Sequence, residues 1–179
     1  SVSRAKGSVQ FPANFILIAT MNPCPCGNAG VRGKTCICMP AALERYKRKL
    51  SGPIVDRIDL WVDVPTVDYE KLSGSTGGQE RSENVREKIV SAREIQTKRF
   101  EGSHIRTNSG MSVRELKQFA ELSPELTTLL NDSARTLDLS ARAYHRVIKL
   151  ARTIADLEAA TDIARAHLLE ALQYRPRKS

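Results

Sequence analysis

A short α/β segment followed by an all-α bundle, mostly α overall, is the fold class the sequence predicts. Two apolar runs near the start have the composition of strands, and a tract of small residues follows them. From about residue 82 onward, apolar positions recur at helical spacing.

The first run, FILIATMN at 15–22, is short and rich in β-branched residues, and it ends at Asn22 and Pro23. That is the pattern of a buried strand in a covered sheet. ALERYKRKL, 42–50, reads as a short basic helix. In IDLWVDVP, 58–65, Ile58, Leu60, Val62 and Val64 alternate with Asp59, Trp61 and Asp63, the second strand expectation. SGSTGGQ, 73–79, is a flexible hinge by composition. After it, Val85, Ile89 and Ala92 share a helix face, and the stretch from Gly102 to Gly110 ends that helix. Ser112 with Glu115 three residues later forms a capping box, and Ser123 before Pro124 opens another helix. From Ser140, Tyr144, Val147, Ile148, Ala151, Ile154 and Ala155 make one apolar stripe, and a last helix is expected from about Thr161 to Tyr174. The organisation is therefore 1–72 as the α/β part, 73–81 as the hinge and 82–179 as the helical part.

Composition narrows the function classes. The chain is 41% apolar with 5% aromatics, contains no run of eighteen apolar residues and opens without a secretory pattern, so a cytoplasmic setting is expected. It begins SVSRAKG without a methionine, the expectation for a fragment or processed product. The formal net charge of +8 favours polyanionic partners. The basic residues are spread along the chain and aromatics are few, so charge alone does not separate nucleic acid from a solvated surface.

MNPCPCGNAGVRGKTCICM, 21–39, admits two readings. NAGVRGKT is one residue from a phosphate-binding loop, but Asn28 stands where the first glycine belongs and no helix opens after Lys34, so the context such a loop needs is missing. Cys24, Cys26, Cys36 and Cys38 instead make two CxC pairs within a short polar loop, a set that could close a tetrahedral zinc site and stiffen a segment too small to fold alone. Unliganded thiols and cross-loop disulfides are the alternatives, the latter disfavoured in a reducing compartment. With sulfur in all four positions, the expected zinc is structural.

FILIATMNPCPCG, RYKRKLSGPIVDRIDLWVDVP and LSARAYHRVIKLARTIADLE resemble, in order and spacing, the magnesium-chelatase-like AAA+ ATPases of the ComM (YifB) family. The resemblance runs from Ser1 to about Arg175. It implies the second part of an AAA+ module, an α/β remnant of the core followed by the helical lid, with the Walker A and Walker B motifs that hold ATP and Mg²⁺ outside this chain. The chain by itself is then expected to be inactive. The resemblance makes Asn22 the sensor 1 residue, Arg57 the arginine finger offered to a neighbouring subunit's nucleotide, and Arg142 the sensor 2 arginine of the lid. Read without it, Asn22 would satisfy backbone groups in a turn before Pro23, Arg57 would pair with its flanking aspartates, and Arg142 would lie on a solvated face. Arg146, Lys149 and Arg152 are open between lid support and acidic partners. Ser3, Arg4 and Lys6 would fall near a hairpin before sensor 1 that can touch DNA. His104, His145 and His167 form no ligand pattern and read as surface or packing residues, and Trp61 reads as local packing or a subunit contact.

The resemblance further implies self-association into a ring, a hexamer by family habit, and a DNA helicase or branch-migration activity in DNA uptake and recombination. A magnesium-chelatase-type protein-remodelling ATPase and a non-enzymatic, zinc-stabilised nucleic-acid-binding module are the competing classes.

Overall fold

The computed structural model describes residues 1–5, 7–12, 15–65 and 81–176, and the chain divides into two units, Ser1–Arg48 and Lys49–Ser179. Helices dominate, and the sheet among the described residues has two strands. The proposed hinge at 73–79 lies outside the described residues.

In the first unit, β1 (Val2–Arg4) and β2 (Gly7–Val9) form an antiparallel hairpin in which Val2 faces Val9 and Ser3 faces Ser8, with the two serine hydroxyls 3.0 Å apart. The expected hairpin is thus present, with Ser3 and Arg4 on its first strand; Lys6 is outside the described residues. The run 15–22 is not a strand. It has no regular secondary structure and is exposed, with Ile16 at 86% and Ile18 at 88% exposure. Its apolar side chains have nothing to pack against within this unit, and its backbone amides and carbonyls have no neighbouring strand among the described residues. A run of strand-forming residues becomes a strand only when such a neighbour is supplied. α1 (Pro40–Lys47) starts on proline, whose fixed φ suits a first helical turn, and ends with Arg45 and Lys47 near its negative pole.

The second unit opens with a single turn, α2 (Gly52–Val55), the turn continues through Asp56 and Arg57, and 58–65 then runs without regular structure or strand pairing. The second strand expectation is overturned for the same reason as the first: Leu60, Val62 and Val64 are exposed and no strand lies beside them among the described residues. The remaining helices are α3 (Ser82–Arg99), α4 (Val113–Phe119), α5 (Pro124–Thr136), α6 (Ala141–Leu157) and α7 (Arg165–Gln173), with one 3₁₀ turn at Asn108–Gly110.

Local signals explain where these helices begin. Ser112 Oγ accepts from the Arg114 amide while Glu115 accepts from the Ser112 amide at 2.8 Å, and Ser123 and Ser140 cap α5 and α6 through their hydroxyls. α6 is central, touching α3, α4, α7 and the 3₁₀ turn. Its stripe of Val147, Ile148, Ala151 and Ile154 joins Leu130, Leu168, Ala171 and Phe100 in one core, where Phe100 meets Phe119 edge-on at 5.6 Å. α7 starts at Arg165, later than the expected Thr161, because the turn at Glu158 and Ala159 that closes α6 is followed by a bend at Thr161 and Asp162. No helix among the described residues is long and apolar enough to cross a membrane.

Candidate functional site

The four cysteines converge. Cys24 Sγ lies 3.4 Å from Cys26 and 3.7 Å from Cys36, Cys26 lies 3.7 Å from Cys36, and all four sulfurs fall within 4.8 Å of one another. Sulfurs bound to one tetrahedral zinc at about 2.3 Å sit about 3.8 Å apart, so the spacing fits a metal. It is far too long for disulfides, whose sulfurs are about 2.05 Å apart, and the cysteines are free. The loop folds this way because Gly27, at φ +79°, turns the chain directly after the first CxC pair. Its amide then closes on the Cys24 carbonyl at 3.0 Å, and the Ala29 amide points at the Cys24 sulfur at 3.3 Å.

Four thiols this close cannot all ionise without a cation between them. The amides of Asn28 and Ile37 hold Cys26 down to about 6, while burial and then the neighbouring Cys26 sulfur push Cys38 up to about 12. Cys24 is lowered: burial opposes this, but the Ala29 amide and further hydrogen bonds outweigh it. The set can hold a metal ion, and once it does, four sulfur donors fill a tetrahedral shell and leave no position for water or substrate. The near phosphate-loop does nothing comparable, since Lys34 is exposed and α1 begins only at Pro40.

Asn22 precedes this loop. It is exposed, its carbonyl accepts the Tyr46 hydroxyl of α1 at 2.9 Å, and its side-chain amide makes no hydrogen bond among the described residues. Arg57 is also exposed and makes no ion pair with Asp56 or Asp59 among the described residues. Its guanidinium donates to the Pro53 carbonyl at 2.7 Å, and Asp59 pairs instead with Arg146. Arg142 stands exposed in the first turn of α6. A cation at the positive end of a helix is disfavoured by about 0.3–1 kcal/mol unless an anion joins it. Asn22 lies in the first unit, Arg57 and Arg142 in the second.

The sequence matches the family model for the carboxyl-terminal part of the magnesium chelatase subunit ChlI over residues 79–175, and that for magnesium chelatase subunit ChlI over residues 1–72. The chain belongs to the magnesium chelatase ChlI family. Within this family of AAA+-type ATPases it is similar to the competence protein ComM of Haemophilus influenzae, 39% identical over 97% of this chain and 33% of that protein. It is also similar to the YifB protein of Salmonella typhimurium, 37% identical over 97% of this chain and 33% of that protein. A Mycobacterium bovis protein, Mb2921c, is 34% identical over 97% of this chain and 34% of its own length. The chain spans about a third of the length of these relatives.

In this magnesium-chelatase-like chain the other basic residues of α6 have separate roles. Arg146 binds the Arg57 carbonyl and Asp59, and Lys149 donates to the Ser109 carbonyl at 2.9 Å. Arg152 is buried and holds Asp156 and the carbonyls of Ala160 and Thr161, which makes it a support of the bundle. His167 is also buried and structural: its Nδ1 accepts from the Ala164 amide and its Nε2 meets Glu158. Trp61 packs locally, half-buried, with its amide donating to the Tyr174 carbonyl. Sequence reasoning missed the polar centre around Asp156, which gathers Arg99, Arg152 and Asn108; the one legible trace was Arg152 and Asp156 at i and i+4.

Proposed function

We propose that this chain is the second part of an AAA+ ATPase module whose parent hydrolyses ATP with Mg²⁺ at the interfaces of a hexameric ring. Residues 1–72 complete the α/β core, 73–81 form the hinge and 82–179 form the lid. The single observation that supports this most is the state of Arg57 and Arg142: both are exposed guanidiniums outside any ion pair among the described residues, in a family of AAA+-type ATPases. Arg57 is the finger, since a planar, permanently charged fork suits the charge that develops on a transferring phosphoryl group. Asn22 orients the attacking water, and Arg142 reads nucleotide state in the lid, where the helix amino terminus adds its own attraction for phosphate. The four cysteines hold a structural zinc beside Asn22. We place the parent among ComM-like DNA helicases that migrate branched DNA. In full-length protein, Arg57→Ala should abolish most turnover while nucleotide binding persists; unchanged turnover would remove the finger assignment.

One observation favours the nucleic-acid-binding module as a second reading. The stretch 1–48 holds seven Lys and Arg against one Glu, so most of the net positive charge falls there because acidic residues are scarce in it. The two readings separate on branched DNA. Salt-dependent binding without nucleotide-driven unwinding by the full-length protein supports the module, and ATP-driven unwinding supports the helicase.

A further inference from the structure

Arg57 lies in the turn that closes α2, and the segment that follows it has no strand beside it among the described residues, yet it is fixed at several points. Arg146 Nη1 donates to the Arg57 carbonyl at 2.5 Å and also to the Asp59 carboxylate. Arg175 Nη1 donates to the Ile58 carbonyl at 2.9 Å, and the Trp61 amide donates to the Tyr174 carbonyl at 3.0 Å. All these partners belong to the helical bundle: Arg146 to the middle of α6, Tyr174 and Arg175 to the end of α7. Of these bundle residues, Arg146 is the one that bonds Arg57 itself.

We propose that Arg146 is a positioning residue for Arg57, holding the main chain from which the finger guanidinium projects. This rests on the reading of Arg57 as the finger. The contact fixes the backbone and leaves the side chain free to act: the Arg57 guanidinium rests on the Pro53 carbonyl at 2.7 Å, an exposed bond that is easily exchanged for a phosphate oxygen. Burial argues against a role in stability. The Arg146 side chain is 26% exposed and that of Asp59 63%, and pairs this open to water add little to folding. The apolar stripe of α6 does not include Arg146, so the core does not need it. The bond does set direction, because one guanidinium holds the carbonyl of residue 57 and the carboxylate of residue 59 together and fixes the turn between them. One helix therefore carries both Arg142 and the anchor of Arg57, and a shift of α6 moves the two arginines as a pair.

The test uses the full-length parent protein with kcat, KM for ATP and melting temperature measured for Arg146→Ala, Arg146→Lys, Arg146→Gln, Arg57→Ala and the Arg57→Ala/Arg146→Ala double variant. Arg146→Ala should lower kcat by about a hundred-fold, as a misplaced catalytic group does, with KM and melting temperature little changed. Arg146→Lys should recover part of the loss. The double variant should be no slower than Arg57→Ala alone, since the anchor acts only through the finger. Normal kcat in Arg146→Ala, or losses that add in the double variant, overturns the positioning role while leaving the finger reading intact. Normal kcat in Arg57→Ala overturns the finger reading, and this inference with it. Arg146→Gln, which lacks the guanidinium that spans residues 57 and 59 but keeps a long polar side chain, carries the same test if Arg146→Ala does not fold.

Discussion

Asp156 accepts two hydrogen bonds from Arg99, at 2.6 and 2.5 Å, across 57 residues of sequence. The same carboxylate takes the Arg152 Nε at 3.1 Å and the Asn108 amide at 2.7 Å, and its side chain has no exposure to solvent. It ties the end of α3, the 3₁₀ turn and α6 at one buried point. Removing it strands two guanidiniums, one fully buried and one nearly so, which is costlier than losing the bonds themselves. Asp156→Ala should therefore destabilise the chain by about 3–5 kcal/mol, the range for breaking a buried ion pair. Urea denaturation of the two proteins checks this; a loss near that of a surface substitution would refute it.

The same group sets part of the acid response. Burial tends to raise the Asp156 pKa, but the hydrogen bonds from Arg99 and Asn108 prevail and leave it below the ordinary carboxylate value. A carboxylate depressed on folding contributes stability that is present above its unfolded pKa of about 3.9 and is lost as pH falls through the lower folded value. The stability gap between wild type and Asp156→Ala should be constant from pH 7 to about 5 and should narrow below about 4. Unfolding free energies measured across that range decide it, and a gap that widens on acidification would be the wrong sign.

Helix starts were legible because their causes are local. Ser112 with Glu115, Ser123 with Pro124, and Ser140 each satisfy amides within three residues of themselves. The cysteine cluster was legible for a related reason, since both CxC pairs lie in one loop. The strands expected at 15–22 and 58–65 depend on neighbours that pattern cannot supply. Arg99 and Asp156 were hidden because nothing in the sequence near either residue points to the other. Arg146 fell between these cases: its helix face was evident, but its attachment to residues 57 and 59 required the fold.

The end of α6 offers a stability gain. Ala159 sits at φ +54°, a left-handed conformation that a side chain resists, while the Ala160 amide closes on the Ala155 carbonyl at 2.8 Å. Arg152 holds the next two carbonyls, so the turn cannot relax. Ala159 is exposed and its methyl adds no core packing. Ala159→Gly should stabilise by about 0.5–1 kcal/mol, the relief of strain less the extra chain entropy of glycine. A lower melting temperature would show that the strain is already dissipated elsewhere.

The cysteine loop gives the most direct test of the metal. Protein purified without chelator should carry about one zinc per chain by elemental analysis, and denaturation with chelator should release four titratable thiols. Cys36→Ser removes a sulfur that lies 3.7 Å from both Cys24 and Cys26, leaving three thiolate donors for a site that needs four. Zinc content should then fall sharply, and residues 24–38 should become sensitive to proteolysis. Chelation of the wild type should reproduce that sensitivity, because the loop has little apolar core of its own beyond Cys24, while the core around Leu130 and Leu168 contains no metal ligand and should keep its melting behaviour. Metal-free protein with a protease-resistant loop would show that the glycine turns and the amide contacts to sulfur hold these residues without a cation.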